Sequence, residues 1–300
     1  MGQPNEVEVD SFIGKHHSSI YDLIDPSQLK LPPNYVVCIL GASRGIGEHI
    51  AYAYAAAGAR GIVLASRPSS QDSLSAVAHK AQSLNAHAII KTATCELTSS
   101  SSVADLAHML EVEFQRLDAV IVNAGFAGPV TLHVDEGDPA HFKTCADVNY
   151  LGPYQAAHWL LPLLRQTAGG GKTFIVVSAL AALITRGPIA NVGYCISKMA
   201  QMRLVEVIAE QHGKEGVLAV AVHPGAVKTK MAEAAPEEFV PLLIDDSALC
   251  GGFCVWLCAD KERRQWMTGR FVCATWDIEE LLSREGDIVE KDLLKFKMAI

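Results

Sequence analysis

The sequence predicts a single doubly wound α/β domain on a parallel sheet of about seven strands. Three observations carry that prediction. From Tyr35 onward, short β-rich runs alternate with longer stretches of helical periodicity. The short runs are apolar at nearly every position rather than at every second one, as strands covered on both faces must be. Half of the 300 residues are apolar, which suffices for one substantial core.

Residues 1–34 stand apart. They are polar and close on Leu31-Pro32-Pro33-Asn34, where the prolines favour an extended lead-in. An N-terminal arm packed on the 35–300 domain is expected, with the substrate site integral to that domain. The expected strands run over 35–40, 61–65, 88–93, 118–123, 173–178, 218–223 and 270–274. Helical stretches such as GEHIAYAYAAAGA and SSVADLAHMLEVEFQR lie between them, so right-handed βαβ units are expected throughout.

Composition narrows the function. A net charge of −8 and a pI near 5.8 offer no basic face to nucleic acid or to an anionic membrane surface. No apolar run approaches the roughly 18 residues of a membrane span. The opening MGQPNEVEVD is acidic and lacks a secretory apolar stretch, Glu6 breaks the myristoylation pattern, and the MAI end carries no address. A cytoplasmic location is expected. Eight cysteines in a chain of this length do not make a disulfide scaffold. Cys250, Cys254 and Cys258 share one helical face and read as reduced core thiols rather than zinc ligands. The eleven histidines show no ligand spacing, so no metal site is expected.

After the first strand comes GASRGIG, with glycines at 41, 45 and 47. A strand before it and a helix after it make this the phosphate turn of a Rossmann-type fold. Glycine lets the backbone approach a pyrophosphate, and the helix N-terminus offers free N–H groups and a favourable dipole. The expected cradle is Gly41, Ser43, Arg44, Gly45, Ile46 and Gly47. The second strand ends at Ser66-Arg67, where an NAD site would place an acid for the ribose hydroxyls. A hydroxyl and a guanidinium, with Arg44 nearby, suit a 2′-phosphate instead. The expected cofactor is NADP(H).

In VGYCISKMAQMRLVEVIAEQ, helical spacing sets Tyr194 and Lys198 one turn apart on one face. A free phenol, with a pKa of about 10, is protonated at neutral pH. A neighbouring ammonium is expected to lower that pKa toward useful acid–base chemistry.

Taken in order, these motifs resemble the short-chain dehydrogenase/reductase family over approximately residues 35–275. The glycine turn is followed by Asn123-Ala124-Gly125 after the fourth strand, then by Asn149 with Gly152, then by Tyr194 with Lys198. Pro224, Gly225 and Thr229 in HPGAVKT complete the series. The arm and the ATWDIEELL…EKDLLKF tail are similar to those of fungal members. The resemblance implies that Tyr194 protonates a carbonyl oxygen or takes the proton of an alcohol. It implies that Lys198 binds the nicotinamide ribose and lowers the tyrosine pKa, and that Asn149 supports a water linking Lys198 to solvent. Thr229 and the backbone near Val227 would hold the carboxamide; Asn123, Ala124 and Gly125 would line the adenosine side.

Two positions depart from the family pattern. Glu96, followed by Leu97, stands where a shorter acid usually contacts adenine. Alignment on the Leu180–Ala182 run puts Ala179 at the place of the active serine, two residues farther from Tyr194 than usual. Ser178 is then expected to serve only through a local backbone twist, or the site lacks one donor.

The expected function is that of an NADP(H)-dependent ketoreductase-type enzyme. It would interconvert a carbonyl and a secondary alcohol on a small, fairly apolar molecule, compatible with secondary metabolism. The alternative is an NADP(H)-binding scaffold that performs isomerisation or cyclisation. The stretch KMAEAAPEEFVPLLI reads as a mobile apolar cover. Apolar excess in YQAAHWLLPLL and ISKMAQMRLVEVIAEQ points to a homodimer or homotetramer.

Overall fold

The computed structural model of the chain describes Val9, residues 11–232 and residues 236–298. Every expected strand forms: β1 Val36–Leu40, β2 Gly61–Ser66, β3 Ile89–Thr94, β4 Ala119–Val122, β5 Thr173–Val177, β6 Leu218–His223 and β7 Arg270–Cys273. They build one seven-stranded sheet in the order β3-β2-β1-β4-β5-β6-β7, with every neighbouring pair parallel. β1, β2, β4, β5 and β7 are buried at every position, which accounts for their unbroken apolar runs. β3 lies at the open edge and exposes Ile89, Thr92 and Thr94. The opposite edge is covered by the C-terminal segment, where the Phe271 N–H donates to the Leu294 carbonyl at 2.9 Å.

The helices are α1 Ile46–Ala56, α2 Gln71–Leu84, α3 Ser100–Phe114, α4 Pro139–Ala146, α5 Gly152–Gln166, α6 Val192–His212 and α7 Ser247–Ala259. Short α8 Ile278–Ser283 and α9 Glu285–Glu290 follow. Side-chain caps fix several starts: Ser99, Asp138, Asp246 and Asp277 accept from the N–H groups of Ser102, Ala140, Ala248 and Glu280. Among the described residues no helix is long and apolar enough to cross a membrane.

Two helical layers cover the sheet. α7 nests on α1 so closely that a Cβ at Gly251 would lie 2.8 Å from the His49 carbonyl oxygen. α3, α5 and α6 cover the other face, where a Cβ at Gly61 would lie 2.7 Å from the Phe114 ring. The β5–α6–β6 and β6–α7–β7 crossovers step the same way along the sheet over opposite faces, so they have opposite hands. The expectation of right-handed units throughout fails at this last crossover. Small residues give α7 its close packing on this face. Gly251 admits α1, and Gly252 admits the arm, whose Ile24 carbonyl oxygen lies 2.5 Å from where a Gly252 Cβ would be.

Polar groups tie the ends of the molecule together. Asp118 is fully buried beneath β1, β4 and β5. Its carboxylate accepts from the N–H groups of Val36 at 2.8 Å and Gly171 at 2.9 Å, and from two nitrogens of Arg116 at 2.7 and 2.8 Å. The cysteines are all free and buried, including the three on α7.

Residues 11–34 lie against the segment that follows β7. Ile13 and Ile24 are fully buried, and the Arg284 guanidinium stacks 3.7 Å above the Phe12 ring. Asp277 is the polar centre of this contact. It accepts from His17 at 2.8 Å, Lys15 at 2.8 Å and the Glu280 N–H at 3.0 Å. Burial alone would raise its pKa; these hydrogen bonds outweigh it and hold the carboxyl well below the usual carboxylate range.

A folded-state pKa below the unfolded value stabilises the protein above the unfolded pKa of about 4, and that stabilisation drains away as the pH falls further. Asp277→Asn should therefore lower Tm at neutral pH and lose that deficit progressively on acidification below pH of about 4. Parallel Tm curves for the two proteins down to acid pH would contradict the assignment.

Candidate active site

The motif residues collect at the C-terminal ends of the strands. Gly41 follows β1, Ser66 ends β2, Glu96 and Leu97 follow β3, Asn123 follows β4, Ser178 follows β5 and Pro224 follows β6. Successive strands run outward in opposite directions from the β1–β4 pair, which makes their junction the crevice of the sheet.

At that junction the glycine turn is packed from behind. A Cβ at Gly41 (φ +89°) would meet the Ala124 nitrogen at 2.6 Å, and one at Gly47 would meet the Gly41 oxygen at 2.1 Å. Asn123 Nδ2 donates to the same Gly41 oxygen at 2.8 Å. Gly45 (φ 57°, ψ −132°) occupies backbone space that a side chain would make costly, and it starts α1 without a side-chain cap. In front of it stands Thr229, whose Cγ2 would lie 3.6 Å from a Gly45 Cβ. The uncapped N–H groups of α1 and the open glycine surface fit a dinucleotide pyrophosphate.

At the far end of the crevice, Ser66 is buried while Arg44 and Arg67 are exposed. Among the described residues neither guanidinium has an ion-pair partner. Thr98 Oγ1 donates to Glu96 Oε1 at 3.1 Å. Leu97 packs against the start of α5, where a Gly152 Cβ would lie 2.8 Å from it. Pro224 and Gly225 lead into a loop held by Asp245: the Ala226 N–H donates to Asp245 Oδ2 at 2.6 Å, and Val227 forms a parallel bridge with Asp245.

Asn149 sits in a π-helical turn, Asp147–Leu151, that joins α4 to α5. Pro153, four residues on, has no N–H to give the Asn149 carbonyl in an α-helix, and the helix widens there. The side chain is fully buried. It accepts from the Phe126 N–H at 2.8 Å and donates to the Phe126 carbonyl at 2.7 Å and to Ser197 Oγ at 3.0 Å. Asn149 thereby pins the loop after β4 to α6.

Lys198 is buried beside it. Its Nζ donates to the Val177 carbonyl at 2.8 Å and to Gln201 Oε1 at 3.3 Å, and lies 5.7 Å from the centre of the Tyr194 ring. Burial pushes the lysine down to about 7. Burial also pushes the Tyr194 phenol up, with smaller contributions from Cys195 and Cys145. The sequence predicts a phenol lowered by its lysine. In this geometry desolvation dominates at both groups, because Nζ is turned toward carbonyl oxygens of β5 and α6.

Ser178 needs no twist to face α6. The ladder carries one face from Gly61 beside Phe114 to Val36, from Cys38 to Val120 and from Val120 to Phe174; alternation along β5 then carries it to Val176 and Ser178. That is the face of α3, α5 and α6. The Ser178 N–H continues the ladder to the Val222 carbonyl at 2.8 Å, and Ala179 stays extended at φ −160°, ψ 150°. Ser178 Oγ is buried and has no hydrogen-bond partner among the described residues. Alignment on Leu180–Ala182 misjudged the face by one residue because it ignored strand register.

The short chain dehydrogenase family profile matches residues 35–239. The chain belongs to the short chain dehydrogenase family. It is 38% identical over 287 residues to short chain dehydrogenase pgmD of Aspergillus terreus, covering 92% of this chain and 90% of that one. It is 35% identical over 292 residues to short chain dehydrogenase mpl6 of Monascus purpureus, covering 97% of each. Among solved structures, a short chain dehydrogenase of Shigella flexneri complexed with NADP superposes with a TM-score of 0.72 at 26% identity, covering 82% of this chain and 99% of that one.

Sequence reasoning missed four residues around this family site: Ser197, Gln201, Cys145 and His223. Helical spacing from Lys198 gives a signal for Gln201, which follows it by three positions on α6. Ser197, three positions after Tyr194 on the same helix, carries the same signal; Cys145 and His223 carry none, because another helix and a neighbouring strand bring them in. His223 Nδ1 accepts from the Leu180 N–H at 3.3 Å and braces the chain just after Ser178. Burial pushes His223 down to about 4, so it is neutral.

Gly47→Ala should destabilise the fold by about 1–3 kcal/mol in denaturant titration, since its Cβ must displace backbone. Gly286→Ala, where nothing lies within 4 Å of the added atom, is the control and should be neutral or slightly stabilising. Equal effects at both positions would show that the close approach at Gly41 carries no constraint.

Proposed function

We propose that this short chain dehydrogenase is an NADP(H)-dependent oxidoreductase that interconverts a carbonyl and a secondary alcohol on a small, fairly apolar organic molecule. The observation that supports this reading most directly is the gathering of Asn149, Tyr194, Lys198 and the unpartnered Ser178 hydroxyl beside the glycine crevice. Gly41, Ser43, Arg44, Gly45, Ile46 and Gly47 would hold the pyrophosphate. Ser66, Arg67 and Arg44 would take the 2′-phosphate, which suits two cations without partners. Glu96, Leu97 and Asn123 to Gly125 would line the adenosine. Pro224, Gly225, Val227 and Thr229 would hold the carboxamide, and Lys198 the nicotinamide ribose. When bound, the dinucleotide gives or accepts a hydride.

The remaining chemistry belongs to the chain. Tyr194 carries its proton at neutral pH and so has one to give to a carbonyl oxygen. Ser178 offers a hydroxyl donor to that same oxygen. Asn149 holds the Phe126 backbone and Ser197, so the loop and the helix that flank the reacting oxygen keep their spacing.

A cavity of about 310 Å³ borders the start of α6. Pro129, Val134, Phe142 and Val192 line it together with His133 and His141. Met231, Val240, Leu242 and Ile244 of the segment after Thr229 are exposed and apolar. Both features suit an uncharged organic substrate, as in the tailoring of a secondary metabolite; residues 233–235 of the expected cover lie outside the described residues. Exposed Tyr154 and Trp159 on α5 with Ile196, Met199 and Val207 on α6 support a homodimer or homotetramer, in the cytoplasm.

Arg67→Ala should weaken NADPH binding by about tenfold or more and leave NADH binding nearly unchanged, as fluorescence titration would read. Equal losses would remove the 2′-phosphate assignment. With NADPH and a panel of ketones, Tyr194→Phe should lower turnover by about 10²–10⁴-fold while sparing NADPH binding. Ser178→Ala should cost about 10²–10³-fold. Full activity in Tyr194→Phe would overturn the proposed chemistry, and conversion of substrate without cofactor oxidation would favour isomerisation or cyclisation.

A further inference from the structure

Gln201 lies one turn beyond Lys198 on α6 and is fully buried. Its Oε1 accepts from Lys198 Nζ at 3.3 Å, while the Val177 carbonyl accepts from the same nitrogen at 2.8 Å. Gln201 Nε2 has no hydrogen-bond partner among the described residues. An apolar side chain would fill this space without burying an unpaired donor, so packing alone gives no reason for an amide here.

The amide makes sense as an acceptor. A lysine nitrogen has three positions beyond its carbon. Val177 takes one from the end of β5, and Gln201 takes another from α6. Gly125 and Asn149 also lie near this nitrogen: a Cβ at Gly125 would lie 3.8 Å from Nζ and 3.5 Å from Asn149 Oδ1. In the ammonium that third position is an N–H. In the neutral amine, with both hydrogens engaged by the two carbonyl oxygens, it is the lone pair.

We propose that Gln201 is a positioning residue for Lys198, which aims the third position of Nζ into the cleft and sets the pH at which that nitrogen gains its charge. The consequence for catalysis rests on the reading of Lys198 given above; the hydrogen-bond geometry does not. Among the described residues, the titratable groups that face this nitrogen are Cys145 from α4 and Tyr194 from α6 itself, with His223 on the same sheet face at the end of β6. None is a carboxylate. Charge on Nζ is therefore stabilised by the carbonyl oxygens of Val177 and Gln201, against a burial that already brings the lysine down to about 7.

The test is a titration of Lys198 by NMR in the full-length protein, with carbon-13 at lysine Cε and the resonance identified by its loss in Lys198→Met. Gln201→Leu and Gln201→Met remove the acceptor and should move the midpoint down. Gln201→Glu keeps the acceptor, adds charge and should move it up by about 1–3 pH units. An unchanged midpoint in the apolar variants, with circular dichroism intact, overturns the proposal. So does a Gln201→Glu midpoint that fails to rise, and this variant decides the matter if the apolar ones do not fold. The acid limb of kcat/KM should move in the same direction as the NMR midpoint in each variant. The titration uses neither cofactor nor substrate. A wild-type protein without turnover would thus defeat the proposed function and leave Gln201 to be judged by NMR alone.

Discussion

The whole site depends on two backbones meeting where no side chain could stand. Gly47 brings the first turn of α1 onto the Gly41 carbonyl, and Gly41 brings the end of β1 onto Ala124. Asn123 then locks the contact by donating to Gly41 O. Because β1 and β4 are the pair from which the chain leaves in opposite directions, closing their ends shapes the crevice between the first and second halves of the sheet. A methyl group at either glycine would push the α1 N-terminus away from the cleft.

The second half of the site is organised by desolvation. Lys198 lies under α4, the π turn and the end of β5 with no carboxylate partner among the described residues. An isolated buried ammonium is expensive, and carbonyl oxygens offset only part of that cost. The lysine therefore sits near its own titration point at neutral pH, while the tyrosine one turn earlier is held protonated. Among the described residues Lys198 has carbonyl acceptors and no ion-pair partner.

The arm and the C-terminal segment serve the same sheet from its far edge. The family match stops at residue 239, yet β7, α7 and the residues around Asp277 are packed as tightly as the matched region. α7 can cross on the unusual face because Gly251 and Gly252 admit α1 and the arm, and Ile24 fills the space beneath it. Asp277 then joins arm and tail through His17 and Lys15. The arm and tail thus pack beside β7, which pairs with β6, and β6 delivers Pro224 and Gly225 to the crevice.

What the sequence determined by itself is local. Continuous apolar runs named six of the seven strands, since a strand buried on both faces has no polar side to show; β3, at the open edge, mixes Lys91 and Thr92 into its run. The glycine spacing named the turn, and the four-residue spacing of Tyr194 and Lys198 named their common helix face. Tertiary structure decided whatever depends on distance across the fold. It decided the face of Ser178, because side-chain direction at a strand end follows the register of four strands rather than a neighbouring motif. It decided the hand of the last crossover, because helix packing against α1 leaves no trace in the order of elements. It also decided the charge balance of Tyr194 and Lys198, because a pKa answers to burial and partners in space, and the chain order shows only that the two residues are neighbours.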